Sequence, residues 1–176
     1  MTRVGKTLAG MALALAALAG VSIVRVTLPA LSAVEGHADV TAIGYYRWGV
    51  TPDRIVFDLW KAGPEASAAS VLGAFFDFAQ EMKDRRFEEV LLAWRGDVRF
   101  RLDGDDFREI GVERDWQNPV YVVRTFPEKL RTPEGRPAFE SWSGGLIGVL
   151  GAQMDDVNSF ADAWFRKDVL ESYRGY

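Results

Sequence analysis

The sequence PAFESWSGGLIGVLGAQMDDVNSFADAW, residues 137–164, contains the helical pattern around which we expect the domain to be organised. Its apolar residues recur at steps of three and four, which places them on one face of a helix. We predict that this face packs on the rest of the domain. The predicted core face consists of Leu146, Leu150, Met154, Val157, Ala161 and Trp164, and the outer face carries Asp155, Asp156, Asn158 and Asp162.

Glycines are concentrated at the start of this helix, at positions 144, 145, 148 and 151. A glycine in a helix costs about 1 kcal/mol relative to alanine. Four of them in one short stretch therefore indicate either close backbone packing or a cluster of exposed amide groups.

The composition describes a folded, acidic protein without cysteine. Of the 176 residues, 48% are hydrophobic and 26% charged, and the formal net charge is −4. The first 36 residues hold three basic residues and one acidic residue, so the remainder carries 18 basic and 24 acidic residues, a net charge of −6. Phosphate neutralisation dominates nucleic-acid affinity, so we expect no nucleic-acid partner. The absence of cysteine excludes disulfides, thiolate metal sites and cysteine nucleophiles.

The amino-terminal residues 1–25 have the form of a membrane anchor or an export signal. Arg3 and Lys6 precede an apolar run, residues 7–24, which is at the short end for a spanning helix. The basic end favours a cytoplasmic amino terminus and a domain that faces the periplasm. An uncleaved anchor in the inner membrane is favoured, and cleavage after Ala19 or Ser32 with release to the periplasm is the alternative.

Residues 26–40 are predicted to be a linker, and residues 41–176 a single α+β domain. Two strands are expected at 42–48 and 54–60, a helix at 66–83, a hairpin at 90–102, a short helix after Asp103, and a strand at 120–126 before the long helix. Hairpin-connected strands favour an antiparallel sheet of about five strands packed with two main helices. This element order is similar to that of profilin and longin domains.

Two sequence blocks resemble those of a family of small proteobacterial envelope proteins of unknown function. The first is WQNPVY at 116–121 with RTFP at 124–127, and the second is WSGGL at 142–146 with GVL at 148–150. The resemblance covers roughly residues 72–164. It implies no catalytic residue, because none is known for the family.

Several catalytic and metal chemistries are poorly supported. The run Asp103, Asp105 and Asp106 lacks the glycine and the glutamate that a calcium loop needs at its sixth and twelfth positions. His37 is the only histidine, and we expect it in the linker, without packed neighbours to orient it. We therefore predict no catalytic residues, metal or cofactor.

The candidate ligand-binding residues lie around the glycine-rich helix start. Free amides at such a start can bind an anion, and a nearby arginine adds a bidentate donor. The alternative, which we favour, is structural: the arginine pairs with a glutamate and the glycines allow tight packing. The candidate site consists of Arg124, Trp142, Gly144, Gly145 and Asn118.

These observations predict a non-catalytic envelope protein that binds an envelope protein or a peptide. The alternative is a hydrolase that uses carboxylates, since glycosidases need only two of them. A cleft with two converging carboxylates would favour the hydrolase. A shallow groove or an open sheet edge would favour the binding protein.

Overall fold

A computed structural model gives the architecture, and it describes residues 20–49, 51–63, 66–143 and 146–174. Within these ranges the chain is α+β, as predicted, with one five-stranded sheet and several helices. The strands are β1 Val40–Arg47, β2 Thr51–Ala62, β3 Glu89–Trp94, β4 Asp97–Asp103 and β5 Leu130–Arg131. The helices are α1 Leu28–Glu35, α2 Ala68–Met82, α3 Gly104–Glu113, α4 Pro119–Thr125, α5 Leu146–Ala161 and α6 Lys167–Arg174. Three short turns adjoin these elements. The π turn Ile23–Thr27 precedes α1, the π turn Asp162–Arg166 follows α5, and the 3₁₀ turn Phe126–Lys129 precedes β5.

The sheet is mixed, so the prediction of an antiparallel sheet is wrong. The strand order is β1-β2-β3-β4-β5, and the central pair β2–β3 is parallel while the other pairs are antiparallel. The reason is α2, which connects β2 to β3. A helix carries the chain back to the end where the first strand began, so the second strand runs in the same direction. The likeness to profilin and longin domains therefore does not extend to the sheet.

Helix α2, which was predicted at 66–83, forms the centre of the core. Leu72, Phe75, Phe76, Ala79 and Met82 are all buried. Ser67 caps the helix, because its Oγ accepts a hydrogen bond from the backbone N–H of Ser70. The expected hairpin between β3 and β4 also forms, with positive φ angles at Arg95 and Gly96 in its turn.

Residues 26–40 are not the predicted linker. They belong largely to a helical segment, residues 20–35, which lies along β1. The Thr27 hydroxyl donates to the Gly44 carbonyl at 2.7 Å, and the Ser22 hydroxyl accepts from the Tyr46 N–H at 3.3 Å. Ser22 and Thr27 are five residues apart, a spacing that an α-helix would place on different faces. The π turn between them is wider, so both side chains can face β1. The segment thereby satisfies backbone groups of an edge strand that would otherwise be open to pairing.

The predicted strand at 120–126 is also wrong, because these residues form α4 and the start of the 3₁₀ turn. Asn118 caps α4 by accepting from the Val120 N–H, and Pro119 occupies the first helical turn. Asn-Pro is a helix-start signal, since proline lacks the N–H that a first turn leaves unpaired. The three valines that follow gave the segment a misleading β-like composition.

The predicted core face of α5 is correct in its second half only. Val157, Ala161 and Trp164 are buried, together with Phe160. Leu150 and Met154 are 36% and 44% exposed. The side chain of Leu146 lies outside the described part of the chain. The π turn after α5 inserts an extra residue, which lets both Trp164 and Phe165 point inward.

The predicted anchor falls mainly on residues 1–19, which lie outside the described part of the chain. Among the helices within the described ranges, none has the length and apolar character required to cross a bilayer.

We predict that Gly44→Ala destabilises the domain. A Cβ at this position would lie 2.9 Å from both the Val26 carbonyl oxygen and the Ala30 Cβ, so the helical segment must shift. Overpacking of this kind costs about 1–3 kcal/mol. Urea denaturation of the full chain measures the loss. Gly36→Ala is the matched control, since a Cβ there meets nothing within 4 Å; equal midpoints for the two variants would contradict the docking described here.

We also predict that the two halves of α5 respond differently to truncation. Phe160→Ala removes a fully buried ring and should cost about 3–5 kcal/mol. Leu150→Ala removes a partly exposed side chain and should cost about 1 kcal/mol or less. Denaturant titration of both variants tests this, and a larger loss at Leu150 would show that the helix packs on the other face.

Candidate functional site

Two of the five predicted site residues, Arg124 and Asn118, line one cleft between α4 and α5. The cleft has a volume of about 390 Å³. Small-ligand sites typically occupy roughly 300–1,000 Å³. Its walls are Gln117, Asn118, Val120, Tyr121, Arg124 and Leu150. Val120, Tyr121 and Leu150 are exposed apolar side chains, so the cleft combines an apolar surface with polar groups.

The polar groups of this cleft are chiefly hydrogen-bond donors. Arg124 stacks on the Tyr121 ring at 5.0 Å, and no carboxylate of the described residues pairs with it. The side-chain oxygens of Gln117 and Asn118 accept backbone N–H groups at 3.0 Å, those of Asn118 and Val120 respectively. Their NH₂ groups are therefore the parts left for other partners. A guanidinium and two amide donors favour an anion.

The remaining predicted site residues are not brought into this cleft. Trp142 lies before α5, where its indole N–H donates to Asp156 at 2.6 Å. Gly144 and Gly145 lie outside the described part of the chain. A Cβ at Gly148 or Gly151 would meet nothing within 4 Å, so tight packing does not explain those two glycines.

A larger cleft, of about 730 Å³, lies beside α3 and is acidic. Two of its carboxylates, Asp106 and Glu109, bind the Lys129 ammonium at 2.6 and 2.8 Å. Desolvation is the largest single influence on the pKa of Lys129 and lowers it, but the hydrogen bonds and charges of these carboxylates outweigh it and raise the pKa. Lys129 therefore stays charged and joins the two carboxylates of α3. Asp103 caps α3, because its carboxylate accepts a hydrogen bond from the Asp105 N–H.

The prediction that His37 lacks packed neighbours is wrong. Its Nε2 lies 2.6 Å from Asp77 Oδ2, and Arg114 Nε donates to the other oxygen of Asp77 at 2.7 Å. The ring also lies over α2, since a Cβ on Gly73 would come within 2.6 Å of its Cε1. This network ties the chain between α1 and β1 to α2 and α3. Sequence spacing gave no signal of it, because Asp77 is 40 residues away from His37.

Asp58 is a second polar group that sequence analysis did not identify. It is 1% exposed, and its carboxylate accepts from the Tyr45 hydroxyl at 3.2 Å and from the Gly96 N–H at 3.0 Å. Asp58 therefore links β1, β2 and the β3–β4 turn. Burial, followed by the charge of Asp58 and the hydrogen bond to it, raises the pKa of Tyr45 to about 12.

Comparison of the chain with family models, curated proteins and solved structures finds no significant match. The resemblance of the WQNPVY and WSGGL blocks to a proteobacterial envelope family therefore stays a prediction.

We predict that Tyr45 makes stability fall between pH 10 and pH 12. Its folded-state pKa lies above the ordinary value of 10.0, so its contribution is fully present below pH 10 and is lost as the pH rises through 12. Urea midpoints measured across this range should fall more steeply in the natural chain than in Tyr45→Phe. Parallel slopes would show that ionisation of Tyr45 does not have this effect.

Proposed function

We propose that the protein is a non-catalytic binding module of the cell envelope, and that the cleft between α4 and α5 binds a carboxylate attached to an apolar group. The free carboxyl terminus of a peptide is such a ligand. The observation that carries the proposal is Arg124, which faces the cleft without a carboxylate partner among the described residues.

The chemistry of the cleft supports this ligand class. The guanidinium of Arg124 lies over the Tyr121 ring at 5.0 Å, and this contact restrains the side chain before a ligand binds. An arginine binds a carboxylate through two parallel hydrogen bonds. The amide groups of Gln117 and Asn118 add donors, and Val120 and Leu150 offer apolar contact to the group that carries the carboxylate.

The acidic cleft beside α3 supports a hydrolase less well. A glycosidase of the usual kind needs one protonated carboxylic acid and one ionised carboxylate. Asp106 and Glu109 both bind the Lys129 ammonium, so neither carboxylate is free for a substrate. Asp103 is engaged as a helix cap. The contacts of Asp106 and Glu109 instead support a structural role, in which they hold α3 to the 3₁₀ turn that carries Lys129.

The envelope location is part of the proposal and comes from the amino-terminal sequence. Arg3 and Lys6 ahead of the apolar run 7–24 support attachment to the inner membrane with the domain in the periplasm. Release to the periplasm after cleavage is the alternative. Cleavage after Ser32 would remove Val26 and Ala30 from the core, so the structure of residues 20–35 supports retention of that segment.

We predict that Arg124→Gln abolishes binding of peptides that end in a free carboxylate. The probe is a peptide array in which each sequence ends in an apolar residue and is present in free-acid and amidated forms. The natural chain should prefer the free acids, and Arg124→Gln should remove that preference because it removes the charge and the paired donors. The urea midpoint should change little.

Arg108→Gln is the matched control for this experiment. Arg108 is an exposed arginine of α3 that lines the other cleft, so this variant should keep the preference for free acids. Equal binding of acids and amides by the natural chain, or an equal loss in both variants, would contradict the proposed site.

A further inference from the structure

The outer face of the helical segment 20–35 is apolar. Between Gly20 and Val34 the only charged residue is Arg25. The side that packs on β1 carries small residues, while the large aliphatic side chains point away from the domain and are 39–64% exposed. The inward residues are Ser22, Val26, Ala30 and Ala33, and the outward residues are Val21, Ile23, Val24, Leu28 and Leu31.

This arrangement is the reverse of that in a helix on the surface of a soluble domain. Such a helix buries its large apolar residues and exposes charged ones. Here the approach to Gly44 requires small residues on the inner side, because a Cβ at Gly44 would already touch the Val26 carbonyl and Ala30. That requirement explains the inner face only. A contiguous apolar outer face indicates an apolar partner.

We propose that this outer face lies on the surface of a lipid bilayer, so that residues 20–35 form a platform that holds the domain against the membrane. The inference rests on the membrane attachment proposed above and extends it to the orientation of the domain. Residues 7–19 continue the same apolar sequence upstream of the segment, after Arg3 and Lys6. The predicted anchor, residues 7–24, ends within the first turns of this segment, so residues 20–24 form both the end of the anchor and the start of the platform, where the chain leaves the bilayer.

The residues near the amino end of the platform suit a membrane interface. Ser22 bonds to Tyr46, so this end lies beside the β1–β2 turn. That turn presents Trp48, which is 79% exposed, with the Arg47 guanidinium 5.6 Å from the centre of its ring. Tryptophan and arginine are favoured where one part of a side chain is apolar and another meets lipid headgroups. Arg85, which donates to the Arg25 carbonyl, adds positive charge near the middle of the platform.

A second copy of the chain could cover the same face, but the charge pattern favours lipid. The basic residues of the platform or in contact with it are Arg25 and Arg85, whereas Arg47 is paired with Glu89 at 3.6 Å, and the only acidic residue of the segment is Glu35 at its far end. Two copies joined through this face would bring their Arg25 and Arg85 charges together, which is unfavourable, whereas a bilayer with anionic lipids would attract them.

The absence of cysteine permits a direct test on the full chain. Single cysteines at Val24→Cys and Leu28→Cys are labelled with an environment-sensitive fluorophore, and the protein is reconstituted into vesicles of phosphatidylethanolamine and phosphatidylglycerol. Leu170→Cys is the matched control: it is an exposed aliphatic residue of α6, whose Asp168 pairs with Arg99 of β4, three strands away from β1. Quenching by doxyl groups on the lipids is compared with quenching by aqueous iodide.

We expect lipid-borne quenching at positions 24 and 28 to exceed that at position 170 several-fold, and iodide quenching to show the opposite order. Val24→Asp with Leu28→Asp should reduce the shielding of a label at Val21→Cys without moving the urea midpoint, because both side chains are outside the core. This second variant separates loss of membrane contact from loss of fold.

Two results would overturn the platform while leaving membrane attachment intact. In the first, the protein floats with the vesicles, but iodide quenches the labels at 24 and 28 as strongly as the label at 170. The helical segment would then lie in water. Labels shielded from both quenchers would show that protein covers the face. Failure to float would overturn both the attachment and the platform, whereas a failed peptide-array experiment bears on the cleft alone.

Discussion

The packing of the domain depends on one side chain, Phe75 of α2. Its ring centre lies 5.3–6.4 Å from those of five other aromatic rings, which are Phe57, Phe76, Phe107, Phe126 and Trp164. These rings come from β2, from α2 itself, from α3, from the 3₁₀ turn and from the π turn after α5. Because each element contributes one large ring to the same cluster, the position of each one is set by the others.

Trp164 completes this cluster and joins it to the sheet. Its indole N–H donates to the Ala93 carbonyl of β3 at 3.0 Å, and its ring packs on Phe57 and Phe160. A buried indole needs such a partner, since an unsatisfied donor would cost about 1–3 kcal/mol. The π turn that directs Trp164 and Phe165 inward is therefore part of the core and not an irregularity at a helix end.

The polar groups of the protein divide into those that support the fold and those that remain available. Asp58, Asp77 and Lys129 each bind two partners and connect elements that are distant in sequence. Arg124 differs, because it stacks on an aromatic ring and faces a cleft. This contrast is why the proposed ligand site rests on Arg124, while the more numerous acidic residues beside α3 are assigned a structural role.

Local patterns in the sequence determined the elements whose signals lie within a few residues. The inner face of α2, its cap at Ser67 and the β3–β4 hairpin follow from helical spacing, cap chemistry and strand alternation, which are short-range effects. The Asn-Pro dipeptide also indicated the start of α4, but the valines after it led to the prediction of a strand.

Only the tertiary structure decided the parallel pairing of β2 with β3, the exposure of Leu150 and Met154, and the network of His37 with Asp77. These depend on which surfaces meet, and residues 37 and 77 or 26 and 44 come together only when the whole chain has packed. The same reason applies to the helical segment 20–35: contact with Gly44 explains its small inner residues, and no pattern within residues 20–35 indicates that contact.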